Sequence, residues 1–215
     1  GSSGMGADGR LKRAGLAEAV SALEIVGPQG DVRRIARGDP GFDCSVVSLG
    51  LLGVVSSVTI DLVPAYSVRQ RVFGGWPPEP RSGSLAALLD SLPDAMAETG
   101  SFSAFLNWSV DSAGMLILRD TIPEDTQNEP APEWCGAALR HERIEGFLEG
   151  FGAFEATSSG PWHDKTHVWM KDARPFGPQA AAELQLEHFV PLTRAAEALE
   201  RTRLVGGQWG ASLLY

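Results

Sequence analysis

The chain has 215 residues, 43% hydrophobic and 21% charged, with a formal net charge of -9 and a pI near 4.9. That composition suits a globular protein, and the length allows about 70% of the unfolded surface to be buried in one or two cores. The acidic balance argues against a nucleic-acid partner: the basic groups Arg10–Arg13 and Arg33–Arg37 are too small to neutralise a phosphate backbone.

A glycine-rich start, Gly1-Ser2-Ser3-Gly4-Met5-Gly6, precedes a helix-forming stretch from Leu16 to Leu23 and a strand over Leu23–Val26. Gly27-Pro28-Gln29-Gly30 has turn chemistry, so Asp31–Arg37 returns as the second strand of a hairpin spanning residues 22 to 37. Helical spacing over Phe42–Leu49 is followed by a β-branched strand from Val54 to Val63, with Val58, Ile60 and Leu62 alternating onto one face. Pro64 closes this block.

Tyr66–Phe73 alternates as a strand, and residues 74 to 83 form a Pro/Gly loop. Ser84 is placed to cap a helix over Leu85–Glu98, with Leu85, Leu88, Leu89 and Leu92 on one face and Pro93 expected to interrupt or bend it. Phe102–Trp108 and Met115–Leu118 read as neighbouring strands, and residues 120 to 135, acidic and proline-bearing, as an exposed loop. Residues 136 to 165 are weakly patterned. His167–Lys171 and Leu184–Val190 read as strands, and Thr193 as the cap of a helix through Leu204.

Cys44 and Cys135 are far apart, which favours reduced thiols over a zinc or disulfide framework. The apolar run Val46–Ile60 is shorter than the roughly 20 residues that cross a bilayer, so no transmembrane segment is expected and a cytoplasmic location is the simplest expectation. His163 and His167 share an i,i+4 spacing but lack a third ligand, so no metal site is expected. Glu187 beside His188 has the makings of an acid/base pair, yet strand alternation sets them on opposite faces. Trp108, Trp134, Trp162 and Trp169 read as packing residues.

Taken in order, several segments resemble the FAD-linked oxidases of the vanillyl-alcohol-oxidase type, most closely the alditol (xylitol) oxidase and D-arabinono-1,4-lactone oxidase branch. Gly1–Gly6 is similar to that family's glycine loop, Leu16-Ala17-Glu18-Ala19-Val20 to the helix start after it, and Ala36–Phe42 and Ser48–Ser56 to further stretches of its flavin domain. Pro64-Ala65-Tyr66, Phe105–Trp108, Gly160–His163 and Glu183–Pro191 resemble landmarks of its cap domain.

The resemblance implies an α+β fold: residues 1–65 as the C-terminal part of a flavin-binding (PCMH-type) domain, then residues 66–215 as part of an antiparallel-sheet cap with helices on one face. It implies FAD as cofactor, held by Ser2, Gly4, Met5, Gly6, Gly15, Leu16, Gly53, Val54 and Val55. A loop of small residues lets backbone N–H groups approach a pyrophosphate, and glycine admits a ligand close to a strand edge. The implied substrate is a small polyol or sugar lactone, oxidised with O2 to give H2O2 by an enzyme expected to be monomeric.

Departures from the pattern are equally informative. Ser3 stands where the family has histidine, and about four residues around Gly9–Lys12 look inserted. The Gly-Ser-Ser-Gly start also has the form of an expression-tag remnant. The family's flavin-linked histidine, earlier phosphate loop, and later Glu-x-Arg, histidine and lysine have no counterparts in the chain. A middle section of the enzyme is therefore expected, without catalysis on its own. A degenerate α+β domain lacking cofactor is the reading from another class.

Overall fold

The computed structural model describes residues 16–75, 82–106, 108, 114–122, 131–144, 155–165, 188 and 190–206. It is mixed α+β with antiparallel sheets, the expected fold class, and the chain divides between Pro64 and Ala65 into two compact units.

The first unit is built on a three-stranded antiparallel sheet of order β2-β1-β3, comprising β1 (Val20–Val26), β2 (Val32–Ala36) and β3 (Val54–Ile60). The hairpin is present: Gly30 takes φ 82, Gly30 N donates to Gly27 O at 3.0 Å, and Val26 pairs with Val32. The helix read over Leu16–Leu23 is shorter than expected. Only Leu16–Ala19 (α1) is helical, and Val20–Ala22 belong to β1, opposite Ile60 and Thr59 of β3. Cross-strand pairing overrides a helix-forming composition there. Helix α2 (Phe42–Val46) is likewise short of its expected end at Leu49. Phe42 packs with Val20, Leu23 and Ile25 in a small core, flanked by Ile35 and Val46.

The second unit centres on a sheet of order β5-β6-β4-β8-β7, with β9 also paired to β4. Its strands are β4 (Ser67–Gly74), β5 (Ser101–Phe105), β6 (Met115–Ile122), β7 (Glu133–Trp134), β8 (Ala137–Arg140) and β9 (Ser158–Pro161). Helix α3 spans Leu85–Glu98 as expected, and the Ser84 hydroxyl accepts from Ala87 N at 3.1 Å. It runs through Pro93 without interruption. Pro93 lies on the exposed side, where water can satisfy the carbonyl that its missing N–H leaves free.

Leu85 and Leu88 of α3 pack on Phe73, Ala104, Leu116 and Leu118, with Trp108 in the same cluster. Leu199 of α5 (Ala195–Gly206) joins the cluster, so α3 and α5 cover one face of the sheet. Thr193 lies within a 3-10 turn, Leu192–Arg194, ahead of α5. On the other face Val72, Phe105, Met115 and Ile117 pack with Ile144 and Ala156. Of the segment read as an exposed loop over residues 120 to 135, residues 120 to 122 belong to β6 and Glu133–Trp134 to β7, while residues 123 to 130 lie outside those described. Short helix α4 (Trp162–Lys165) brings Trp162 to within 6.0 Å of Tyr66, ring to ring. The strands read over His167–Lys171 and Leu184–Val190 fall on residues that, apart from His188 and Val190, lie outside those described.

Candidate functional site

Of the residues implied to hold a cofactor, Ser2, Gly4, Met5, Gly6 and Gly15 lie outside the described residues, as does Ser3. Leu16 is the first residue of α1. Gly53, Val54 and Val55 stand together where the chain enters β3.

Gly53 has a structural requirement of its own. It adopts φ 129, and a Cβ there would collide with Val26 O on β1. The missing side chain thus serves the approach of β3 to β1, and a ligand would have to approach from the opposite side. Val54 and Val55 are 71% and 42% exposed although paired with Val26 and Ile25. Among the described residues β3 pairs with β1 alone, so its outer backbone edge is bare. The strand read over Val54–Val63 forms, but neither of its faces is buried, because all seven residues of β3 are exposed. Leu62 lies beyond the strand end and is also exposed.

The turn leading into β3 continues this surface. Leu51 N donates to Ser48 O at 3.0 Å, and both central residues of the turn have positive φ, 54 at Leu49 and 78 at Gly50. That is the requirement of a type I′ turn, which suits Asn-Gly and penalises leucine. Leu49 is 92% exposed and Leu51 nearly as much. A leucine at positive φ that is almost fully exposed marks a surface shaped for something else. Leu49→Asn is expected to raise the stability of this unit by about 1 kcal/mol, read from its urea midpoint.

On the sheet face that carries α2, a cleft of about 430 Å³ is lined by Glu18, Val20, Arg37, Phe42, Asp43 and Val46, among others. Arg37 closes one side. Its guanidinium donates to Asp61 Oδ2 at 2.7 Å and to the carbonyls of Glu18 and Val20 at 3.0 and 2.7 Å. The charge is therefore committed to holding α1, β1 and the end of β3 together. The half-exposed ion pair contributes little beyond that.

The polar groups of the second unit lie where the sequence reading placed none. On the helix-covered face, Asp120 accepts from Arg71 at 2.5 Å and lies 4.0 Å from Arg69. On the opposite face Arg119 donates Nε–H to Gln70 Oε1 at 3.0 Å. A strand that reads as ending at Leu118 leaves both outside it. Extending the alternation of Met115, Ile117 and Arg119 would have placed Arg119 on one face and Asp120 on the other. Of the remaining candidates, His163 is exposed and His188 is exposed, while His167 and Glu187 lie outside the described residues. Trp108 and Trp134 are packing residues, whereas Trp162 is 40% exposed. Among the described residues no helix is long and apolar enough to cross a membrane.

No protein-family model matches the chain. It is similar to an alditol oxidase of Streptomyces sp., 30% identical over 191 residues, which covers 86% of this chain and 41% of that protein. It is also similar to L-gulono-1,4-lactone dehydrogenase of Mycobacterium tuberculosis, 29% identical over 119 residues, covering 55% of this chain and 25% of the relative. The chain thus spans less than half the length of these relatives. Both names are those of oxidoreductases, and the likeness supports a relationship with the FAD-linked oxidase family that the sequence resembles, without selecting a member of it.

Proposed function

We propose that this chain is a portion of an FAD-dependent oxidoreductase that oxidises an alditol with O2 to an aldose and H2O2. Its first unit would be the end of the FAD-binding domain, and its second the start of the cap over the substrate. The observation that carries this reading is the apolar surface around β3. Among the described residues, eleven of the fifteen large apolar side chains that stand exposed lie between Val32 and Val63. A unit of this size does not keep such a surface in water without a partner for it. Further protein of a complete flavin domain would cover it, in keeping with the share of the relatives' length that the chain spans.

FAD, when bound, supplies the redox chemistry, accepting hydride from the carbon that bears the hydroxyl and being reoxidised by O2. The described residues fit that cofactor in one respect: Val54 and Val55 offer an open backbone edge flanked by apolar side chains, the surface a flat aromatic ring system needs. Their task is to bind and orient. Gly53 holds that edge in register with β1. The small residues Ser2, Gly4 and Gly6 would cradle the pyrophosphate through backbone N–H groups.

A sugar lactone is the second reading for the substrate, favoured by the similarity to the lactone dehydrogenase. Cofactor binding is tested by mixing the purified chain with FAD, removing free FAD by gel filtration, and measuring absorbance at about 450 nm. Retained flavin absorbance is expected, together with no H2O2 from xylitol. A chain that leaves all its FAD behind contradicts the cofactor assignment and favours a degenerate domain.

A further inference from the structure

β2 and β3, the outer strands of the sheet in the first unit, differ in chemistry. β2 carries Arg33 and Arg34 side by side, both exposed, and like charges on an edge strand repel a second copy of it. β3 reads Val54-Val55-Ser56-Ser57-Val58-Thr59-Ile60, with neither charge nor proline, and every residue stands in water. Val54 is 71% exposed, Val58 52% and Ile60 49%. An uncharged edge strand of this kind is a template for strand addition.

The strand also matches itself. Run antiparallel about a two-fold axis through Ser57, Val54 faces Ile60, Val55 faces Thr59 and Ser56 faces Val58. β-branched side chains meet at each end of the pair, and no charge meets a like charge. The central serines already spend their hydroxyls on Glu24: Ser56 Oγ donates to its carbonyl at 3.2 Å and Ser57 Oγ to its carboxylate at 2.9 Å. Closing the pair therefore strips water from few polar side chains. The approach to β3 carries exposed Leu51 and Leu52, and the exit exposed Leu62 and Val63. Antiparallel pairing lays the approach of one copy beside the exit of the other, so these side chains leave water together.

We propose that β3 is the docking edge for a second copy of this chain, joined antiparallel about a two-fold axis at Ser57. The product is one continuous sheet, with arginine-bearing β2 at both outer edges, which stops growth at a dimer rather than a fibre. The pairing belongs to this chain by itself. In the longer enzyme proposed above, further protein covers the same edge. It requires no flavin, and its test is run without FAD because flavin and the second copy share Val54 and Val55.

Sedimentation velocity of the flavin-free 215-residue chain tests it. A monomer–dimer equilibrium is expected, tightening as salt is raised, because each copy carries a net charge of -9. Val58→Lys, at an exposed position, should weaken dimerisation at least tenfold by setting two ammonium groups near the axis. A second readout needs no loss of affinity. In a Cys44→Ser background, Ser57→Cys should form a disulfide between copies under mild oxidation, and Arg33→Cys on the other edge should not. A chain that stays monomeric at about 100 µM, a dimer that a folded Val58→Lys chain reproduces in full, or no cross-link through Ser57→Cys overturns the proposal. Dimerisation that weakens with salt overturns the apolar edge as its basis, and species larger than a dimer overturn the two-fold pairing.

Discussion

Gly53→Ala is expected to cost the first unit about 3 kcal/mol or more, enough to abolish cooperative folding of a unit with so small a core. Two costs combine. The residue adopts φ 129, where a side chain is strained, and the added Cβ would run into the Val26 carbonyl, a backbone atom fixed by the β1–β3 pairing. Gly50→Ala is the control. It also has positive φ, 78, but nothing lies within 4 Å of its Cβ, so about 1 kcal/mol is expected. Urea denaturation followed through the first unit should therefore separate the two variants by roughly 2 kcal/mol. Equal midpoints would mean that β3 does not approach β1 as described, and the open edge at Val54 and Val55 would lose its footing.

Asp120→Ala is expected to destabilise the second unit by about 2–3 kcal/mol, because it strips Arg71 of the carboxylate it donates to and removes the charge beside Arg69. The pair is less than one-fifth exposed on each side, so water replaces the lost partner poorly. Arg71→Met added to Asp120→Ala should recover part of the loss by removing the stranded charge. Thermal unfolding of the two variants decides it, and a double variant worse than the single would mean that Arg71 is held by groups other than Asp120. The two arginine environments on the two faces of one sheet differ in kind: Arg71 of β4 donates to the Asp120 carboxylate, and Arg119 of β6 to the neutral Gln70 amide oxygen.

Local chemistry was readable wherever it decided the outcome. The Gly27–Gly30 turn, the Ser84 cap with its leucine stripe, and the alternating runs of β4 and β5–β6 all form near where residue type and spacing place them. What failed was set by partners distant in sequence. Val20–Ala22 are strand because Ile60 and Thr59 pair with them, which no window around residue 20 reveals. Asp120 falls in a segment that reads as a loop on its acidity and prolines, and Arg119 just past a strand that reads as ending at Leu118, yet β4 extends the pairing to Ile122. Apolar alternation in β3 correctly announces a strand but not its exposure, because burial depends on what covers the strand. The candidate site was legible only as a resemblance: the glycine loop and the Gly53–Val55 edge were named from motif order. The Arg119–Gln70 pair has no motif, only a two-residue period carried one step further.

The central claim is that the first unit belongs to a flavin-binding domain, and FAD titration of the intact 215-residue chain, followed by quenching of flavin fluorescence, tests it most directly. Saturable quenching is expected, and Val55→Pro, which puts a rigid ring on the open edge strand, should weaken it at least tenfold. FAD fluorescence that stays unchanged at saturating protein would contradict the account, as would quenching that a folded Val55→Pro chain reproduces in full.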